Sequence, residues 1–212
     1  MNGDFWKQTL GRVPASLWRE TDLETLVLAE NDLTDLSDEI GHLVHLRMLD
    51  LGHNRLTSVP ASLRALARLD FLYLHDNQLT ALPPSLPAVS YLNVGENPLG
   101  ALPPCISELV SLVELRAASC GLTSLPDEIG RLTNLRELHL RDNALTSLPS
   151  AVGALVALRQ LDLRGNPLAA LPPSLATLPR LDKLDLRWVK TLPPAADGLV
   201  DGLRSRGCLV YR

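Results

Sequence analysis

The sequence predicts an α/β solenoid in which a parallel β-sheet lines the concave face and short helical, 3-10 or extended segments cover the convex face. The pattern L-x-x-L-x-L-x-x-N-x-L-x-x-L-P-x-x-L-x-x-L-x-x recurs every 23 residues, as it does at 46–68 and 135–157. Its inner L-x-L alternates as a short strand does, and the proline that follows turns the chain away from the strand direction. Self-similarity at such a period is typical of a solenoid, because a repeat buries its apolar face only against its neighbours.

Successive repeats can be followed along nearly the whole chain. They begin at Leu23, Leu46, Leu69, Val89, Leu112, Leu135, Leu158 and Leu181. Every step is 23 residues except the one from Leu69 to Val89, which is 20. We therefore predict one domain over 1–212. It comprises an N-terminal partial repeat at 1–22, seven repeats at 23–180, and a degenerate last repeat with a C-terminal cap at 181–212.

The convex segments are expected to differ among the repeats. Segments that carry an Ile-Gly or Val-Gly pair, at 40–41, 129–130 and 152–153, are predicted to form a short helical or 3-10 turn. Segments that carry Leu-Pro-Pro, at 82–84, 102–104 and 171–173, are predicted to run extended, because consecutive prolines favour that conformation.

A column of asparagines follows the predicted strands, at Asn31, Asn54, Asn77, Asn97, Asn143 and Asn166. A short amide there can satisfy backbone groups in the buried turn, both its own and those of the neighbouring repeat. Cys120 fills the same position in the fifth repeat, and we favour a structural role for it over a reactive thiol. Ala117 replaces a larger residue in that repeat, which predicts looser packing or a compensating neighbour.

Composition narrows the class of protein. The formal net charge is −4 and no basic block is present, so we expect no nucleic-acid binding. No apolar run reaches the length of a membrane span, and residues 1–6 lack the features of a secretory signal. Cys105, Cys120 and Cys208 lie in different repeats, which favours a reducing compartment. We expect a cytoplasmic monomer without membrane contact; a secreted bacterial effector is the alternative.

The repeats resemble a known family. Residues 36–46 and 125–135 are similar to the L-P-x-x-I-G-x-L-x-x-L units of leucine-rich repeat proteins, in particular Ras-binding scaffold proteins and related bacterial and plant intracellular proteins. The short unit around 79–87 resembles repeats of bacterial effectors, and residues 206–211 resemble a C-terminal ending of bacterial members. The resemblance implies a horseshoe-shaped leucine-rich repeat solenoid that presents a binding surface.

One methionine and several aromatic and histidine side chains gather at outward positions of the N-terminal half. They are Met48, His53, Phe71, Tyr73, His75 and Tyr91. The leucines already fill the core, so clustered outward aromatics indicate anchors for a partner. The alternative is that these residues only cover a strand surface for which they have high propensity.

Charged residues dominate the outward positions of the C-terminal half. Arg116, Arg141, Arg164 and Arg187 alternate there with Glu114, Glu137, Asp162 and Asp185, and His139 lies among them. We call these residues the charged stripe. We favour cross-strand ion pairs that each contribute little to stability, and the alternative is that the charged stripe docks a partner and orients it. Trp188 lies at the C-terminal end of the charged stripe, where it is either an interface anchor or part of the C-terminal cap.

The sequence contains no motif of a catalytic or cofactor site. A phosphate loop, a dinucleotide fingerprint, an H-E-x-x-H helix and a nucleophile elbow are all missing. His53 and His75 fall in adjacent repeats but in different columns, so no metal site is predicted. We therefore expect a non-catalytic module that binds a partner protein on its concave face. By family analogy it is a signalling scaffold or a regulator of a GTPase or kinase; the alternatives are a bacterial effector that binds a host target and a structural or adhesin fragment.

Overall fold

The computed structural model describes residues 1–212 as one solenoid, and its ten three-residue strands form a single parallel sheet in sequence order. The strands are β1 (Asn2–Asp4), β2 (Thr25–Val27), β3 (Met48–Asp50), β4 (Phe71–Tyr73), β5 (Tyr91–Asn93), β6 (Glu114–Arg116), β7 (Glu137–His139), β8 (Gln160–Asp162), β9 (Lys183–Asp185) and β10 (Leu209–Tyr211). From β2 to β9 each strand pairs with the equivalent residues of the next repeat. The predicted fold class is confirmed, and equivalent positions align in columns across the sheet.

Leucine fills the interior along the whole solenoid. One continuous core cluster holds 60 buried residues, most of them leucines at the inward positions of the repeat. Within β2 to β9 the central residue is a buried leucine, and the first residue is at least partly accessible. The side chains at the first and third strand positions therefore face the concave side, as the alternation of a strand requires.

Short 3-10 helices cover the convex side. They span Ala15–Arg19, Asp38–His42, Ala61–Ala65, Pro104–Glu108, Asp127–Arg131, Ser150–Ala154, Pro173–Thr177 and Pro194–Ala196. The prediction of extended Leu-Pro-Pro segments is wrong at 102–104 and 171–173, where the second proline begins the helix. The first helical position needs no N–H, so proline is compatible with it. Only the 20-residue unit runs extended between β4 and β5, because it lacks the residues for a helical turn.

The asparagine column forms a ladder of buried hydrogen bonds, as predicted. Asn143 is representative: its Oδ1 accepts from the backbone N–H groups of Cys120 and Leu122, at 2.9 and 3.0 Å. Its Nδ2 donates to the carbonyl of Ala117 in the preceding repeat, at 2.8 Å, and to that of Leu140 in its own, at 2.9 Å. One amide therefore joins two repeats through backbone groups that water does not reach.

Cys120 takes part in the ladder as a weaker member. Its Sγ donates to the carbonyls of Val94 and Ala118, at 3.3 and 3.4 Å, but it offers no oxygen acceptor. The amide of Leu99, whose equivalents elsewhere donate to an asparagine, donates instead to the carbonyl of Asn97 at 2.8 Å. Burial raises the pKa of the Cys120 thiol to about 11, which keeps it protonated and supports the structural role.

Two strands and a helix complete the ends of the solenoid. β1 pairs with β2 and places Gly3 beside Leu26, in the column that leucine fills in β2 to β9. At the other end, helix α1 (Asp197–Ser205) buries Val200 and Leu203, and the chain returns as β10 beside β9. The repeat spacing predicted neither strand. None of the helices has the length and apolar character needed to cross a membrane.

Replacing Leu140, which is fully buried, with alanine is expected to lower the free energy of unfolding by roughly 2–5 kcal/mol. The substitution removes core contacts and leaves a cavity between two repeats. Leu209→Ala is the matched control, because Leu209 is 61% exposed and its truncation should cost much less. Urea unfolding of both variants measures the difference, and equal costs would contradict the assignment of the core.

Replacing Asn143 with alanine is expected to cost roughly 3 kcal/mol or more, because several buried backbone groups lose their partners at once. Asn134→Ala is the control, since the Asn134 side chain makes a single exposed hydrogen bond to the Val110 carbonyl. Urea unfolding should show a large loss only for Asn143→Ala. A small loss would mean that the backbone, not the side chain, holds the repeats in register.

Candidate functional site

An aromatic patch lies on the concave face where β4 and β5 meet. Phe71 pairs with Tyr91 across the two strands, and their ring centroids are 6.1 Å apart. The Tyr73 and Tyr91 rings are closer, at 4.8 Å, and Met48 lies beside Phe71 on β3. Phe71 is 43% exposed, so the patch offers apolar area that the core does not use. The structure thus brings together the aromatic residues that the sequence singled out.

The two tyrosines of the patch keep their protons over the physiological range. Burial raises the pKa of Tyr91 to about 12, and burial also raises the pKa of Tyr73, with the nearby Asp50 charge acting in the same direction. The guanidinium of Arg116 lies over the Tyr91 ring, at 5.9 Å from its centroid. The patch therefore combines apolar rings, phenol hydroxyls and one cation, a composition typical of interface anchors.

Two arginines of the charged stripe form bidentate pairs with the carboxylate two residues before them in the chain. Arg164 binds Asp162 through Nε and Nη2, at 2.8 and 2.6 Å, and Arg187 binds Asp185 in the same way, at 3.0 and 2.7 Å. The prediction of cross-strand pairs is thus wrong for these contacts, although Arg164 Nε also lies 3.7 Å from Asp185. Each aspartate ends its strand and the arginine follows two residues later, so both side chains reach the same face and the bidentate contact can form.

The Asp185 carboxylate is buried, and its charge depends on Arg187. Burial acts to raise the pKa of Asp185, but the hydrogen bonds and charge of Arg187 outweigh it and hold this pKa below its usual value. The same contact raises the pKa of Arg187. A buried carboxylate left without its partner is costly, so this pair has a structural role beyond that of a surface ion pair.

Arg141 differs from the other arginines of the stripe. Its side chain is exposed and has no carboxylate within 4.0 Å, whereas Arg116, Arg164 and Arg187 are all paired. It lines a concave groove of about 320 Å³ together with residues of β5 to β9. A free guanidinium in a groove is the form of arginine that a partner carboxylate can engage.

His139 lies within an acidic cluster between β6 and β7. Its Nε2 is 3.1 Å from Glu137 and 3.6 Å from Glu114, and these three groups have the spacing of potential metal ligands. Arg116 Nε binds the same Glu114 oxygen at 2.6 Å, and Gln160 donates to Glu137 at 3.4 Å. Because a guanidinium already compensates the carboxylates, the cluster is a hydrogen-bonded network across three strands.

Trp188 is exposed at the C-terminal end of the concave face. It is 64% exposed, and the guanidinium carbons of Arg187 and Arg164 lie 5.6 and 6.0 Å from its ring centroid. Tyr211 of β10 joins it, since Arg187 also lies 5.4 Å from that ring. Sequence reasoning missed Tyr211, because only the pairing of β10 with β9 brings it there. The exposure of Trp188 favours the interface alternative over the cap.

His53 and His75 come together although they occupy different columns. Seven residues at the eighth position of the 23-residue pattern, just after the strand, have a left-handed backbone with φ between 51° and 63°. They are Glu30, His53, Asp76, Glu96, Ser119, Asp142 and Trp188. His53 Nε2 lies 3.3 Å from His75 Nε2, and His53 Nδ1 lies 2.6 Å from Asp76. The difference in column does not keep these histidines apart, because strand alternation no longer applies in the left-handed turn.

The model for the family described as leucine rich repeat matches residues 21–79 and 111–168, together more than half of the chain. A leucine-rich repeat protein of Leptospira interrogans is 26% identical, with a TM-score of 0.65, over 94% of this chain and 63% of that one. The repeat domain of the type III effector XopL is 29% identical, with a TM-score of 0.59, over 84% and 57%.

The functional domain of InlJ from Listeria monocytogenes, which includes a cysteine ladder, shares the fold at 21% identity and a TM-score of 0.74, over 90% of this chain and 47% of that one. The chain thus spans between 47% and 63% of the length of these three structures. No curated protein matches it.

The depressed pKa of Asp185 predicts how acid affects stability. The unfolded carboxylate takes up its proton at a higher pH than the folded one, so its contribution is complete above the unfolded pKa and is lost as the pH falls through the folded pKa. The free energy of unfolding should therefore fall below about pH 4. Asp185→Asn should flatten that fall, and urea unfolding across the acid range measures it.

Asp182→Asn is the control for this experiment, because Asp182 forms an exposed ion pair with Arg159 at 3.2 Å. Exposed pairs contribute little, so this variant should follow the wild-type curve. If both variants change the curve equally, the buried Asp185–Arg187 pair is not what links stability to pH.

Proposed function

Because the chain belongs to the leucine-rich repeat family, we propose that it is a non-catalytic interaction module that binds a partner protein on its concave face. The repeat stack supports this proposal by offering a long, regular surface whose outward side chains have no part in the core. Proteins of this family are generally interaction modules. The observation that carries the proposal for this chain is the aromatic patch of Phe71, Tyr73 and Tyr91.

The aromatic patch has the properties of a binding anchor. The Tyr91 ring lies 4.8 Å from that of Tyr73 and 6.1 Å from that of Phe71, and the three rings remain partly exposed although the leucine core is complete beneath them. Aromatic side chains contribute a large contact area at a low entropic cost, and they dominate the energetics of many interfaces. The patch also lies beside the only repeat without a convex helix, where the solenoid departs from its regular construction.

The charges next to the patch indicate how a partner is oriented. Arg141 is free to pair, and the groove that it lines extends from Asn93 on β5 to Asp185 on β9. A partner with an apolar side chain for the patch and a carboxylate for Arg141 would meet both features. The apolar contact would supply most of the affinity, and the charge would supply orientation and association rate.

The proposal also includes the compartment in which the protein acts and the class of its partner. The leading form is a cytoplasmic module that regulates a signalling protein, such as a small GTPase or a kinase. The second form is a bacterial effector that acts on a host target; it is supported by the 29% identity to the repeat domain of XopL and by the 20-residue unit. Fractionation of the native cell into cytoplasm and secreted material distinguishes the two.

The combined substitution of Phe71, Tyr73 and Tyr91 with alanine is expected to abolish capture of the specific partner from native lysate. The rings contribute contact area at the surface, so the fold should persist. The control is the combined substitution of Val44, Val110 and Val156 with alanine, which removes exposed apolar side chains outside the concave strands. Mass spectrometry of the captured proteins should show a partner retained by wild type and the control alone. Identical capture by the aromatic variant would contradict the proposal.

A further inference from the structure

The pair of histidines at the N-terminal side of the groove has the geometry of a metal-binding site. We propose that His53 Nε2 and His75 Nε2 together bind a borderline transition-metal ion of the Zn²⁺ class. Asp76 orients His53, and water fills the remaining coordination positions. This site does not rest on the proposed partner binding, and neither the repeat pattern nor the family assigns it.

The distance between the two nitrogens fits one ion. The Nε2 atoms are 3.3 Å apart while the ring centroids are 4.7 Å apart, so the nitrogen edges of the rings face each other. Two imidazole nitrogens on a tetrahedral zinc ion, each at about 2.0–2.1 Å from the metal, lie about 3.3–3.4 Å from one another. The same separation is long for a direct N–H···N hydrogen bond. The two Nε2 atoms are thus spaced as two ligands of one tetrahedral ion.

Each ring presents a defined nitrogen to the ion. His53 Nδ1 lies 2.6 Å from the Asp76 carboxylate, and an Nδ1–H that donates there leaves the lone pair on Nε2. A carboxylate behind a ligating histidine is the usual arrangement that fixes its tautomer and increases its basicity. In His75 the Nδ1 atom is buried without a partner, so Nε2 is the nitrogen that a metal can reach.

Gly52 makes room for the His75 ring. A Cβ at position 52 would lie 2.4 Å from Cε1 and 2.8 Å from Nδ1 of that ring, so any other residue at this position would force the ring to move. The left-handed backbone of His53, with φ of 53°, turns the other ring out of its column toward the same point. Two local features of the backbone therefore bring the imidazoles together, and both lie outside the leucine pattern.

The surroundings of the pair carry negative charge. The carboxylates of Asp50, Asp76 and Glu96 all act on His75 through their charge, and none of them lies within 4.0 Å of a lysine or arginine. The site therefore favours a cation. The cluster of Glu114, Glu137 and His139 differs in this respect, because Arg116 already occupies it.

A zinc titration followed by NMR tests the site without any substitution. The chain has five histidines, at 42, 45, 53, 75 and 139, so ring ¹⁵N signals can be assigned one by one. Protein stripped of metal with a chelator is titrated with ZnCl₂ to one equivalent. The Nε2 signals of His53 and His75 should shift together, and those of the other three should stay. A shift confined to His139, or no shift at millimolar zinc, overturns the proposal.

Calorimetric titration of variants with ZnCl₂ measures how much each residue of the proposed site contributes to the affinity for zinc. His53→Ala and His75→Ala should each lower the affinity for zinc at least 10-fold, because one imidazole alone does not chelate. Asp76→Asn should lower it about 10-fold by weakening the orientation of His53. The control is His45→Ala, since His45 lies 3.0 Å from the Thr21 carbonyl, outside the proposed site, and should bind as wild type does. Wild-type affinity in both His53→Ala and His75→Ala rules out the site.

Discussion

Each repeat turns its backbone inside the protein, where peptide N–H and C=O groups meet no water, and the asparagine ladder supplies their partners. One side chain, such as Asn143, accepts from two amides of the preceding repeat and donates to carbonyls of both repeats. Leaving these groups unpaired in the interior would cost more free energy than the hydrogen bonds themselves contribute. The ladder therefore fixes the stacking of the repeats, and the parallel sheet and its aligned columns depend on it.

The completeness of that interior determines what the concave face can do. Leucines fill the core and the asparagine ladder pairs the backbone groups of the turns, so the outward side chains are needed for neither role. The face then divides by chemistry. At the C-terminal side buried Asp162 and Asp185 bind arginines of their own repeats, which leaves Arg141 as the unpaired guanidinium of the stripe. At the N-terminal side rings rather than charges dominate, and their area is available to a partner.

The sequence allowed most of the fold and part of the site to be predicted, because both depend on spacing. The L-x-L triplets mark β2 to β9, and the asparagine column marks the ladder. Outward alternation placed Phe71, Tyr73 and Tyr91 on adjacent strands, where the structure has them. The errors occur where spacing carries no information: β10 pairs only after helix α1 intervenes, and prolines at 104 and 173 begin 3-10 helices.

The sequence by itself determined the solenoid, its register and the identity of the outward columns, because a fixed period forces equivalent residues into equivalent environments. Only the tertiary structure decided which outward side chains meet. Arg164 reaches Asp162 within its own repeat, and His53 reaches His75 in the next repeat although the two lie in different columns. The left-handed turn after each strand points side chains away from the direction that strand alternation predicts. Long side chains also have several neighbours within reach. A linear pattern specifies which residues face outward, but the contacts between them depend on the backbone path and on side-chain reach.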